Sequence, residues 1–85
     1  MFALMKFYHE FGTDEIKIYP KCAFLENGDA WTLGLHLKKD YTKIEEGTKI
    51  LIKVDPMIDA APFVKGTKFL IKEGKHLIAE GEIVI

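Results

Sequence analysis

Three residues near the start of the chain have side chains that bind divalent cations: His9, Glu10 and Asp14. An imidazole and two carboxylates this close in sequence would converge on one metal ion if the segment formed a turn. A polar turn between two strands has the same composition, however, and no second pair of ligands with a recognisable spacing follows along the chain. A solvated turn is therefore the favoured interpretation, and no metal or other cofactor is expected.

The chain offers little for nucleophilic catalysis. It contains no serine, and Cys22 is its single cysteine. Cys22 lies on a predicted strand, and because free cysteine is among the most buried residue types, we expect a buried or half-buried hydrophobe. One cysteine also excludes an intramolecular disulfide and a cysteine-based zinc cage. No local motif joins Cys22 to a histidine. We therefore expect that the protein is not an enzyme.

The charged residues argue against a dedicated nucleic-acid-binding protein. Twelve basic residues, all of them lysine, are balanced by thirteen acidic residues, which gives a net charge of −1. Arginine, whose planar guanidinium binds phosphate and guanine through two hydrogen bonds, is absent from the chain. Lys49 and Lys53 share one strand face, and Lys68 and Lys72 share another. They would form a basic patch if the two strands paired. Two ordinary solvated faces are the favoured alternative.

Apolar residues alternate with polar ones along most of the chain, which is the pattern of short half-buried strands. No segment keeps a period of 3.6 residues over three turns, so little helix is expected. The predicted strands are Phe2–Tyr8, Glu15–Leu25, Trp31–Leu37, Lys49–Val54, Thr67–Lys72 and His76–Ile85. Short strands at this spacing predict an all-β barrel or sandwich. A closed barrel is favoured because closure removes exposed sheet edges.

Proline and turn residues refine this prediction at three places. Pro20 cannot donate to a sheet ladder, so the second strand should be an edge strand or should divide into two at this residue. Asn27-Gly28 favours a hairpin with a type I′ turn, because both residues tolerate a positive φ. The polar connection after the third strand is expected to bury Tyr41 and Ile44.

The last twenty residues predict a β-hairpin with a tight turn at Glu73-Gly74-Lys75. This segment resembles the hairpin that closes the C-terminal β-barrel of elongation factor Tu and related translational GTPases. The residues that fall on the family pattern are Gly66, Phe69, Ile71, Glu73, Gly74, Ile78 and Gly81. Lys68 and Lys72 stand where the family has arginine, and Lys75 replaces a second glycine of the turn. The resemblance covers roughly the C-terminal half of the chain.

A length of 85 residues indicates a single domain formed by residues 1–85, and the resemblance implies that it is a small six-stranded antiparallel Greek-key barrel. It also implies a candidate binding site, because the family's Glu-Gly turn lies near the backbone of the tRNA T-stem. The corresponding residues are Lys68, Lys72, Glu73, Gly74 and Lys75. Nothing in the chain resembles the phosphate-binding loop of a GTPase domain, so nucleotide binding is not expected.

The expected function is that of a non-catalytic binding module that acts through contacts with a protein partner. The alternative is an RNA-binding module that holds tRNA at the lysine-flanked turn, which the net charge and the absence of arginine disfavour. No signal peptide and no stretch of about 20 apolar residues is found, so a cytoplasmic location without membrane contact is expected. The predicted core consists of Phe69, Ile71, Ile50, Ile52, Trp31, Leu33 and Leu35.

Overall fold

The computed structural model of the protein describes residues 1–12, 17–37, 43–59 and 61–85. Within these ranges the chain forms strands and turns and no helix. The strands are β1 (Phe2–Phe7), β2 (Phe11–Gly12), β3 (Lys17–Leu25), β4 (Ala30–Leu37), β5 (Lys43–Ile44), β6 (Lys49–Pro56), β7 (Lys68–Glu73) and β8 (His76–Ile83).

Six of these strands form a closed antiparallel barrel in the order β1-β6-β4-β3-β7-β8, and β8 pairs with β1 to complete the ring. Among the six barrel strands, β3, β4 and β6 follow one another in the chain and pair in that order, whereas β1, the first of the six, pairs with β6, the fourth. This arrangement is a Greek key. Strands β2 and β5 form a separate two-stranded ribbon. The predicted all-β class and the six-stranded antiparallel barrel are confirmed.

The core follows from the alternation of side chains along each strand, which sends every second residue into the barrel. Five predicted core residues are buried: Phe69, Ile71, Ile52, Leu33 and Leu35. The other two, Trp31 and Ile50, are partly buried and pack against the core. Strands β1 and β8 supply a further set of buried residues, namely Ala3, Met5, Phe7, Ala79 and Ile83.

Strand β3 continues through Pro20, so of the two predicted alternatives the division at this residue is wrong. The strand pairs with β4 from Lys17 to Phe24, but its described pairing with β7 is confined to Ala23–Leu25. Pro20 therefore lies where β3 has a described neighbour on one side only. A sheet tolerates proline at such an edge position, because no ladder bond on the open side is lost.

The turn at Asn27-Gly28 forms, but it is not the predicted type I′ turn. Asn27 has a negative φ, and only Gly28 takes a positive value, +91°. The amide of Gly28 donates to the carbonyl of Leu25, and the amide of Leu25 donates to the carbonyl of Asp29. These contacts define a three-residue loop that ends in a left-handed glycine, the second commonest hairpin geometry.

Two predictions about single side chains have opposite outcomes. Cys22 is exposed, so the prediction that it is buried or half-buried is wrong. Its neighbour Ala23 points into the barrel, and alternation therefore turns Cys22 outward. Ile44 is buried as predicted. Tyr41 lies outside the described residues.

Candidate binding surface

The predicted turn joins β7 to β8 at the upper end of the barrel, which we define as the end where β1 finishes and β8 begins. Glu73 pairs with His76 across a two-residue loop formed by Gly74 and Lys75. Gly74 takes a φ of +59°, as the first position of a type II′ turn requires. The local conformation thus depends on Gly74, at a position where a side chain would strain the backbone.

Two of the charged side chains around this turn have partners within the protein. The Glu73 carboxylate forms an ion pair with the Lys21 ammonium group on β3. The Lys72 ammonium nitrogen lies 5.4 Å from the centre of the Phe24 ring, in a cation–π contact. Lys75 is exposed at the tip. The turn therefore presents one exposed lysine beside an internally neutralised carboxylate.

The remaining lysines do not join the turn. Lys68 begins β7 at the other end of the strand, opposite Glu82, and a strand rise of about 3.3 Å per residue places it roughly 16 Å from Glu73. Strands β6 and β7 are separated by two strands in either direction around the ring. Lys49 and Lys53 are therefore not paired with the strand of Lys68, and the pairing that a four-lysine patch requires does not occur.

The structure describes His9 and Glu10, two of the three residues near the start of the chain that could hold a metal ion. The Glu10 carboxylate lies 3.7 Å from the ammonium group of Lys43 in the neighbouring ribbon strand. Asp14 lies outside the described residues. No group of three or more His, Cys, Asp or Glu side chains in the described part of the chain has the arrangement needed to hold a metal ion.

A groove of 470 Å³ crosses the outer face of the barrel from β1 over β8 and β7 to β3. Apolar side chains line part of it, including Leu4, Phe24 and Leu70. Its charged lining residues are of both signs: Lys6, Lys49, Lys68, Glu26, Glu80 and Glu82. A groove with apolar and mixed charged lining matches an amphipathic ligand better than it matches the uniformly anionic backbone of a nucleic acid.

An exposed apolar surface adjoins this groove on strands β1 and β6. Leu4 and Leu51 lie directly opposite each other across the two strands, and 46% and 51% of these residues are exposed. Met1, Phe2 and Ile85 extend the surface towards the lower end of the barrel, where the amide of Phe2 donates to the carbonyl of Ile85 over 2.8 Å. This surface is the feature that the sequence analysis missed. The residue in the sequence that could have indicated this surface is Leu51, which is apolar although the other outward-facing residues of its strand are polar.

We call the six outward-facing residues of the paired segment the β1–β6 face. Three are apolar or aromatic and three are lysine, and in cross-strand pairs they are Lys6 with Lys49, Leu4 with Leu51, and Phe2 with Lys53. None of the three lysines forms an ion pair with a described residue. The face is therefore basic and apolar, and it carries no carboxylate of its own.

Tyr8 and Glu80 form a polar contact where β1 ends. Hydrogen bonding to the Glu80 carboxylate, with partial desolvation and the negative charge of Glu80, raises the pKa of Tyr8. The ammonium group of Lys6 lies 5.5 Å from the centre of the Tyr8 ring. Tyr8 is therefore held in its protonated form and is a hydrogen-bond donor here.

Removing the Glu80 carboxylate should lower the pKa of Tyr8. We expect a fall towards 10.0, the usual tyrosine value, in Glu80→Val, and a smaller fall in Glu80→Gln, which loses the charge but keeps an acceptor. Phenolate absorbance during an alkaline titration measures this, with Glu82→Gln as the control. The native contact contributes stability that is present below about pH 10 and is lost as the pH rises through the raised pKa of Tyr8. An unchanged titration in Glu80→Val would contradict the assignment.

The described residues include no helix of the length and hydrophobicity needed to span a membrane. Comparisons of the chain with models of protein families, with curated proteins and with solved structures find no match. The chain folds as a small six-stranded antiparallel β-barrel.

Proposed function

We propose that this protein is a non-catalytic binding module, similar to the C-terminal barrel of elongation factor Tu, that acts in the cytoplasm through contacts with another protein. The observation that carries this proposal is the exposed apolar surface formed by Met1, Phe2, Leu4, Leu51 and Ile85. Contiguous exposed apolar residues with a polar rim are typical of protein interaction sites. The rim here is formed by lysines and by the glutamates of β8.

The arrangement of charge supports a protein partner over an RNA partner. An RNA site needs several cations that face the phosphate backbone together. At the Glu-Gly turn, Glu73 is neutralised by Lys21, Lys72 lies over an aromatic ring, and Lys75 is the exposed cation. The apolar surface lies on other strands, where Phe2 is the exposed aromatic residue and arginine is lacking, so a series of stacked bases has no matching platform.

Affinity capture from a native cytosolic extract, with chemical cross-linking to retain weak complexes, tests this proposal. We expect a reproducible protein partner that is retained by the wild-type chain and lost by the double variant Leu4→Thr/Leu51→Thr. Threonine suits a strand and removes exposed apolar area, so the fold should be preserved. Circular dichroism and thermal unfolding verify that it is.

The controls distinguish a wrong surface from a wrong function. A partner retained equally by the double variant would place the interaction on another surface and leave the protein-binding role intact. Recovery of no partner by the wild-type chain would overturn the role itself. Titration of labelled tRNA at about 50 mM salt, where electrostatic contacts are strong, should show no binding. Salt-sensitive binding that is lost in Lys75→Glu would favour the RNA alternative.

A further inference from the structure

We infer that the β1–β6 face binds a partner segment that presents apolar side chains flanked by carboxylates. The partner that matches this face best is an acidic amphipathic helix. This inference rests on the proposed function and specifies the chemistry of the partner. It is carried by the cross-strand order of the face, in which a Lys–Lys pair lies beside a Leu–Leu pair.

The Lys6–Lys49 pair indicates that the partner carries a negative charge at this position. Like charges directly opposite each other in a sheet are destabilising, and these two lysines are Cα partners in adjacent strands. Glu80 is the Cα partner of Lys6 on the other side of β1, but it lies two strands from Lys49 and therefore leaves that lysine without an opposite charge beside it. A partner carboxylate between the two ammonium groups would convert a repulsion into two attractions.

The Leu4–Leu51 pair indicates that the partner has apolar side chains opposite these two leucines. Both side chains are about half exposed although they lie in the middle of paired strands. Leu4 and Lys6 also line the 470 Å³ groove, so a partner side chain placed on Leu4 has a cavity beside it to enter. A partner with leucines on one helix face and glutamates at the margins of that face would contact both pairs at once.

The partner's position is limited by the charge of the neighbouring strand. Glu80 and Glu82 lie outward on β8, immediately beyond β1, and they would repel carboxylates placed there. An acidic segment should therefore lie over β1 and β6 and not over β8. The same glutamates make an anionic membrane or an RNA backbone a poorer match, because either would extend across both strands.

A peptide titration followed by amide chemical shifts tests the inference on the full chain. The probe is a synthetic peptide of about 15 residues, long enough to form helix, with leucines on one face and glutamates beside them. We expect shift changes confined to β1, β6 and the adjoining groove residues, and weaker binding when salt is raised from about 0.1 M to 1 M, as the Debye length falls. Lys6→Glu/Lys49→Glu should weaken binding at least about tenfold.

Matched controls separate this surface from general charge effects. Lys72→Glu/Lys75→Glu changes the net charge equally at the upper end of β7 and at its turn, on a strand that pairs with neither β1 nor β6, and should leave peptide affinity within about twofold, as expected for screened surface charges. A peptide with lysine in place of glutamate should not bind. The inference would be overturned by shifts centred on the Glu73–Lys75 turn, by equal binding of both peptides, or by sedimentation showing that a second copy occupies the face. If the peptide does not bind but capture of the partner still depends on Leu4 and Leu51, the inference about the partner's chemistry is wrong and the proposed function is unaffected.

Discussion

Substituting Phe7 with alanine should lower the free energy of unfolding by about 3–5 kcal/mol. Phe7 is 0% exposed and is one of the largest fully buried side chains in the barrel. The change removes apolar area from the core and leaves a cavity. The neighbouring strands cannot readily move to fill this cavity, because they are held in a closed barrel. Small domains have a total stability of about 5–15 kcal/mol, so the variant should be close to unfolding. Urea denaturation followed by the fluorescence of Trp31, the single tryptophan, measures the loss.

The matched control for this substitution lies on the same strand. Phe2 is 36% exposed and points out of the barrel, so Phe2→Ala should cost about 1 kcal/mol or less. The contrast depends only on which face of β1 each ring occupies. Equal losses in the two variants would mean that Phe7 is not a core residue and that the register of β1 is wrong.

Introducing a methyl group at Gly81 should destabilise the barrel by about 1–3 kcal/mol, the usual cost of overfilling a packed core. Gly81 is the Cα partner of Met5 on one side and of Phe69 on the other. A Cβ atom at this position would lie 2.5 Å from Cζ of Phe69 and 3.1 Å from Cγ of Met5. Gly81→Ala therefore requires the Phe69 ring to move within a closed core.

A double-mutant cycle checks that the cost comes from this contact. In a Phe69→Leu background the shorter side chain leaves room for the methyl group, so the additional cost of Gly81→Ala should largely disappear. Gly74→Ala is the control for glycine itself. It meets no atom within 4 Å, but its φ of +59° should cost about 1–2 kcal/mol, and this cost should not depend on residue 69. Additive effects of the Gly81 and Phe69 substitutions would contradict the steric explanation.

The β1–β6 face shows how a site can be present in the sequence and still be missed. Leu51 stands between Lys49 and Lys53 on the outward side of β6, which is already an anomaly in the sequence pattern. Leu4 gives no such signal, because β1 is apolar on both of its faces. The two leucines become one feature only when β1 and β6 pair. The resemblance to the elongation factor Tu barrel pointed instead to the lysine-flanked turn at Glu73–Lys75, at the upper end of the barrel.

The sequence by itself determined the six barrel strands, their inward faces and the position of the closing turn. Alternation in β4, β6 and β7 correctly placed Leu33, Ile52 and Phe69 in the core, because the direction of a side chain depends on the strand's own geometry. The tight turn at Gly74 was likewise predicted at its correct place, because a turn depends on a few residues that are adjacent in sequence.

Only the tertiary structure decided which strands are neighbours, and with them the surfaces. Pairing places β1 beside β6, where two lysines and two leucines meet, and it keeps Lys49 and Lys68 on strands that do not pair. The two-residue strands β2 and β5 exist only through pairing with each other. Pairing depends on how all six strands close one ring around a common core, and closure joins residues far apart in sequence. The residue pattern within one strand therefore does not predict which other strands it pairs with.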